Sequence, residues 1–229
     1  MATFATTAPP DTSRISDARN DSVRFETRLR RARLGLFVGV TGIVMIFISF
    51  TSAYVVRQGL PSLDPRTGTL VHDWLPVRLP ALLFVNTLVL LISSLTVEFA
   101  RRQAREAALL RVAMASDGSR AKRDQISWLA LTVVLGLTFL IGQWVAWREL
   151  AASGFYLATS PSSSFLYLLT GTHGLHLLGG VLALLFAGAA SLLRPSVETR
   201  AVWADITGWY WHFMAILWVS IFCLLEFAR

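Results

Sequence analysis

ITGWYWHFMAILWVSIFCLL, Ile206–Leu225, contains no Asp, Glu, Lys or Arg and is bounded by Asp205 and Glu226. A hydrocarbon core about 30 Å thick is crossed by roughly 20 helical residues, so this run reads as a membrane span. Helix is expected, because an open strand leaves its backbone groups unsatisfied in lipid. Four comparable runs precede it: Leu34–Val56, Leu79–Val97, Ile126–Trp147 and Ser162–Leu193. The second opens beside Pro80, which suits a first helical turn. The fourth is overlong; its polar start, Ser162, Ser163 and Ser164, is read as interfacial and the remainder as tilted. The expected fold is all-α, an integral membrane bundle of five transmembrane helices at residues 34–56, 79–99, 126–147, 163–193 and 204–226.

Composition agrees. The chain is 54% hydrophobic and 15% charged, and its charges are segregated between the apolar runs, which excludes an ordinary soluble domain. The net charge of +7 does not indicate nucleic acid, since the basic residues flank apolar runs as cytoplasmic loops do. Residues 1–33 are read as a disordered basic cytoplasmic tail, the disorder running to about residue 25. The run after it is too long for a signal-peptide core and is expected to remain as an anchor. The single cysteine, Cys223, excludes an internal disulfide and a cysteine-cluster metal site, and reads as a small apolar filler.

Orientation follows from Lys and Arg. The N-terminal tail, the loop after the second span and the loop after the fourth together hold sixteen, and the opposite flanks hold five: Arg57, Arg66, Arg78, Arg148 and Arg229. With the larger number inside, the N-terminus is cytoplasmic and the C-terminus outside. Trp74 and Trp147 fall near outer helix ends, and Trp128 and Trp203 near inner ends, where aromatic anchors belong. The second loop has room for a helical extension through Glu98–Met114, either a regulatory arm or a charged cytoplasmic extension.

Polar groups at depth are mild: Asn86, Thr87, Ser93 and Ser94 in the second span, Gln143 in the third. They read as helix–helix hydrogen bonds, and no charged relay or pore-like pathway crosses the spans, against a pump or channel. Small residues recur at helical spacing in Gly35 and Gly39, and in Gly179, Ala183 and Ala187, as ridges for close packing inside the bundle or against a partner. His72 lies in the first outer loop, His173 and His176 share a face of the fourth helix, and His212 lies on the fifth. Zinc needs more ligands than these offer. A bis-His haem would need His176 and His212, which reach similar depths at about 1.5 Å per residue. The alternative is hydrogen bonding to neighbouring helices, Tyr210 or lipid. The rival functions are therefore a small bis-His membrane cytochrome b and a transporter.

Four ordered motifs then carry a resemblance. They are Asn86-Thr87-Leu88 followed by Ser93-Ser94; Leu135-Gly136 with Phe139 and Gln143; Thr170-Gly171-Thr172-His173-Gly174-Leu175-His176 with Gly179; and Trp209-Tyr210-Trp211-His212-Phe213 with Trp218. Together they resemble subunit III of the haem–copper oxidases, the cytochrome c oxidase family, in a short five-helix form. Residues 1–33 fall outside the resemblance. It implies an accessory, non-redox subunit that stabilises the catalytic subunit and holds phospholipid. Haem and copper would reside in the partner catalytic subunit I, with subunit II a further partner, in a bacterial plasma membrane. Short relatives linked to quinol oxidases and nitric oxide reductases are the alternative. No residue is read as catalytic or as binding metal or cofactor. Candidates for structural, lipid or subunit contacts are Asn86, Gln143, His173, His176, Gly179, Ala183, Trp211 and His212. The chain departs from the family pattern at Ala146 and Ala215, where the family carries carboxylates, and in having no carboxylate near Ser49-Phe50-Thr51. Roles tied to those carboxylates do not carry over.

Overall fold

The computed structural model describes residues 12–63, 66–71, 74, 79–113, 119–157, 159–192 and 197–227. His72, Arg78, Arg194 and Arg229 lie outside the described residues, as do residues 1–11 of the expected tail. Five helices are described: α1 (Thr12–Gly59), α2 (Leu82–Ala113), α3 (Ser119–Ala152), α4 (Pro161–Leu192) and α5 (Val197–Phe227). Each contains a stretch long and apolar enough to cross a membrane: Val23–Gly59, Leu82–Ala108, Arg123–Ala152, Pro161–Ala189 and Thr199–Phe227. Between α1 and α2, β1 (Ser62–Leu63) and β2 (Leu70–Val71) form a small antiparallel pair, with Ser62 opposite Val71. This ribbon was not expected from the sequence. Gly68 lies between its strands at φ 65°, in the left-handed region that favours glycine.

The helices are longer than the apolar runs. From Thr12 onward α1 is helical where a disordered tail was expected, α2 runs to Ala113, α3 begins at Ser119 and α5 at Val197. Hydropathy marks only the lipid-facing part of a helix. The flanking segments are rich in Arg, and Glu98–Ala113 also in Ala, Leu and Glu, residues that favour helix whether or not they are apolar.

Helix ends carry their own local signals. Pro161 opens α4 in the position where its missing N–H costs least. Ser160 before it caps the helix reciprocally: Ser163 N donates to Ser160 Oγ (3.2 Å) and Ser160 N donates to Ser163 Oγ (3.1 Å). The C-terminus of α3 closes through Gly154 at φ 86°, with Gly154 N donating to Ala151 O (3.0 Å) and Phe155 N to Leu150 O (3.1 Å). A Gly154→Ala variant is expected to lose about 1–2 kcal/mol, the cost of a left-handed non-glycine residue, readable as a lower melting temperature in detergent.

Helices α2, α3, α4 and α5 pack on one another around a core that includes Leu83, Leu90, Phe139, Leu177, Leu184, Trp211 and Trp218. Helix α1 lies to one side against α4 and α5, through Phe47, Tyr54, Leu166, Leu169, Ile221 and Leu225. Ala100, Ala104 and Ala108 are buried along the second half of α2. Outward positions such as Phe37, Val38, Met45, Leu88, Leu95, Ile141, Leu182 and Ile216 are exposed. An apolar exterior over an apolar interior is what lipid as solvent permits.

Candidate functional site: two polar clusters

The first cluster lies within the bundle. Asn86 of α2 is buried and donates from Nδ2 to the Phe139 carbonyl of α3 (3.0 Å). A Cβ at Gly142 would collide with the Asn86 amide, so this glycine is what admits the side chain. Phe139 meets the His173 ring of α4 at 5.9 Å, and His173 lies against Trp218 of α5 at 5.0 Å between centroids. Trp218 Nε1 donates to Thr87 Oγ1 (2.9 Å), returning the chain of contacts to α2. His173 is fully buried and neither ring nitrogen has a hydrogen-bond partner; the buried Gln143 Oε1 likewise has none. Trp211 is also fully buried, donates from Nε1 to Ser93 Oγ (2.9 Å), and occupies a notch cut by Gly136 of α3 and Gly180 of α4.

The second cluster joins the first part of α1, the middle of α2 and the start of α5. Asp205 accepts a two-pronged contact from Arg33, Nε to Oδ2 at 2.7 Å and Nη2 to Oδ1 at 2.9 Å. Arg101 Nη1 reaches the same Oδ1 at 3.3 Å. Arg101 also donates from Nε to Glu98 Oε2 (2.8 Å), and Arg102 Nε donates to Glu98 Oε1 (2.9 Å). Glu98 Oε2 lies 3.3 Å from His212 Nε2, and Ser94 Oγ lies 2.5 Å from His212 Nδ1. One neutral tautomer satisfies both contacts: Nε2–H donates to Glu98 and Nδ1 accepts from the Ser94 hydroxyl. Gly208 gives the stem of Arg101 its space; a Cβ there would stand 3.0 Å from Arg101 Cδ. Three helices are thus cross-braced by alternating charges, with the Asp205 side chain only 1% exposed.

These positions divide the expected contact residues. Asn86, Gln143 and His173 gather in the first cluster, while His212 belongs to the second. His176 stands apart: its Nδ1 lies 2.8 Å from the Thr172 carbonyl, its ring meets Phe47 of α1 at 6.0 Å, and its own carbonyl accepts from Tyr210. The bis-His pairing of His176 with His212 fits poorly, since Ser94 and Glu98 engage both nitrogens of His212. Among the described residues, no three His, Cys, Asp or Glu side chains are grouped to hold a metal ion. Gly179 faces outward with nothing within 4 Å of where a Cβ would be, Ala183 is half-buried, and Ala187 is buried. The glycines that admit neighbouring helices are Gly136, Gly142, Gly180 and Gly208. Sequence reasoning named Gly136 only within a family motif and missed the other three, and it used Arg33, Glu98, Arg101 and Asp205 only as span boundaries and topology markers. The spacing of Glu98 from Arg101 and Arg102 was a usable sign of pairing.

The model of the family "Cytochrome c oxidase subunit III" matches residues 22–228, nearly the whole chain. This chain belongs to that family. A probable cytochrome c oxidase subunit 3 of Mycobacterium leprae is 33% identical over 102 residues, 44% of this chain and 50% of that protein. The chain therefore spans about half the length of its mycobacterial relatives. The cytochrome c oxidase subunit 3 of Thermostichus vulcanus is 30% identical over 197 residues, covering 84% of this chain and 85% of that one. That of Arabidopsis thaliana is 28% identical over 195 residues, 83% of this chain and 66% of the plant protein. Within this subunit III chain, the family motifs supply the first cluster almost entirely. The charged brace draws Arg33, Glu98, Arg101 and Asp205 from outside those motifs.

Proposed function

We propose that the chain is the accessory, non-redox subunit III of a proton-pumping terminal oxidase in a bacterial plasma membrane. Its N-terminus would lie in the cytoplasm. It braces catalytic subunit I, contacts subunit II, and holds phospholipid on its apolar perimeter, while haem and copper remain with the catalytic subunit. One observation carries the reading: the family match runs over residues 22–228, and the motif residues Asn86, His173, Trp211 and Trp218 pack against or bond to neighbouring helices. At the two family carboxylate positions, Ala146 and Ala215 are sealed in the apolar core, which fits a brace better than a proton carrier.

Capture of the tagged chain from native membranes tests this. A haem-bearing, copper-containing subunit is expected to accompany it, and the haem types and oxidation of cytochrome c or quinol identify the complex. A Soret band on the chain purified alone, surviving detergent washing, would overturn the proposal. Gly179→Leu fills open space on an outward ridge and is expected to lower recovery of the complex severalfold while the chain's own melting temperature holds. Equal co-purification would rule out an interface along that ridge.

A further inference from the structure

Gln143 of α3 and His173 of α4 are closed off inside the bundle, at 3% and 0% exposed. Three of their polar atoms have no hydrogen-bond partner among the described residues: Gln143 Oε1 and both ring nitrogens of His173. The two helices are antiparallel neighbours, and their register is fixed at two levels. Trp147 Nε1 donates to Thr170 Oγ1 (3.1 Å), and Val181 stands beside Gly136. Four residues back from Trp147 and four forward from Thr170 set Gln143 opposite Gly174, the neighbour of His173. Phe139, one turn from Gln143 on the same face of α3, meets the His173 ring at 5.9 Å. The orphaned atoms therefore share one level of the bundle.

The neighbouring donors are committed. The Thr170 hydroxyl donates to the Leu166 carbonyl (2.7 Å) and the Thr87 hydroxyl to the Leu83 carbonyl (2.8 Å). Trp147 and Trp218 direct their indole N–H groups at those same hydroxyls. Ala146 and Ala215, one turn from Gln143 and from Trp218, are buried and bring no polar side chain. A neutral imidazole carries one N–H donor and one bare acceptor nitrogen, and the Gln143 oxygen only accepts. Buried polar groups left unbonded are disfavoured, and a water molecule with about two to four polar contacts is the usual remedy inside a protein. Space is at hand: nothing lies within 4 Å of where a Gly174 Cβ would be. Gly174 shares a side of α4 with Thr170 and Val181, which both face α3.

We propose that Gln143 and His173 form a binding site for one buried water molecule between α3 and α4. The water accepts from the ring N–H of His173 and donates to Gln143 Oε1. That bonds two of the three orphaned atoms and leaves only the bare imidazole nitrogen. It supplies a polar tie between two helices whose own polar groups do not meet at this level. The site is separate from the charged brace. It does not depend on which complex the chain joins, since the test reads the interior of the chain rather than assembly.

The test begins with the full chain in its native complex, in a structure at a resolution that shows ordered interior waters. A peak is expected about 2.7–3.2 Å from both Gln143 Oε1 and a ring nitrogen of His173. Stability in detergent gives an independent reading. Gln143→Met keeps the length of the side chain and removes the oxygen. With the water in place it strands the His173 N–H, and the melting temperature is expected to fall by about 2–4 °C. In a dry site the same variant removes an orphaned acceptor, and the melting temperature would hold or rise. Gln143→Met combined with His173→Phe removes both partners and should recover most of the loss. A missing peak at that resolution, a direct bond between the two side chains, or an undiminished melting temperature in Gln143→Met would each overturn the site. Should Gln143→Met fail to accumulate, the wild-type structure still decides.

Discussion

Asp205→Ala is expected to free α1 from the start of α5 and to destabilise the chain by about 2–4 kcal/mol. Breaking a buried ion pair by removing one partner costs about 3–5 kcal/mol, because a charge is left unpaired. The lower range applies here because the Arg33 side chain is 35% exposed and water takes over part of its charge. Arg101 stays paired through Glu98 and loses only its longer contact, at 3.3 Å. Thermal unfolding in detergent measures the loss, and cross-linking between cysteines placed on α1 and α5 reports the detachment. Arg33→Ala should cost a comparable amount, since it leaves the Asp205 carboxylate, 1% exposed, with only the longer Arg101 contact at 3.3 Å. A double-mutant cycle should return a clear coupling between the two positions. Wild-type stability in Asp205→Ala would show that the brace is ornamental.

Trp211→Ala is the second large effect, about 3–5 kcal/mol, the range for removing a fully buried aromatic side chain and leaving its cavity. The indole fills the notch between Gly136 and Gly180, and neither glycine can extend to close it. Ser93 keeps its bond to the Leu90 carbonyl, so the loss is one of packing more than of hydrogen bonding. Trp211→Phe should recover over half of the stability. Gly180→Leu should approach the same defect from the other side, since even a Cβ there stands 3.0 Å from Tyr210 and 3.3 Å from Trp211. Equal melting temperatures for Trp211→Ala and wild type would remove Trp211 from the core's foundations.

Much of this architecture was legible because lipid imposes one rule on a backbone and leaves a long apolar run as its trace. That trace located the membrane-crossing part of each helix. It could not locate the helical ends, since Arg-rich and Ala-rich turns carry no apolar signal; hence α1 begins at Thr12 and α2 reaches Ala113. The buried polar residues Asn86, Gln143 and His173 stood out as polar letters in apolar text. Which small residue faces inward did not. Gly179 and Gly180 are adjacent, and one helical step of about 100° separates open space from the Trp211 notch. The charged brace was hidden for another reason. Arg33 and Asp205 are 172 residues apart, and nothing local to either names the other.

The same separation governs how the chain is made. Helix α1 leaves the ribosome long before Asp205, Ile221 and Leu225 of α5, against which it settles. Contacts this distant in sequence form late and expose surface while they wait. During translation the first segment therefore rests in the bilayer with Arg33 uncompensated, and Arg101 after it lacks its second carboxylate. A polypeptide halted between α2 and α5 would carry Arg33 without Asp205 and Arg101 held through Glu98 alone, an imbalance that synthesis of α5 removes.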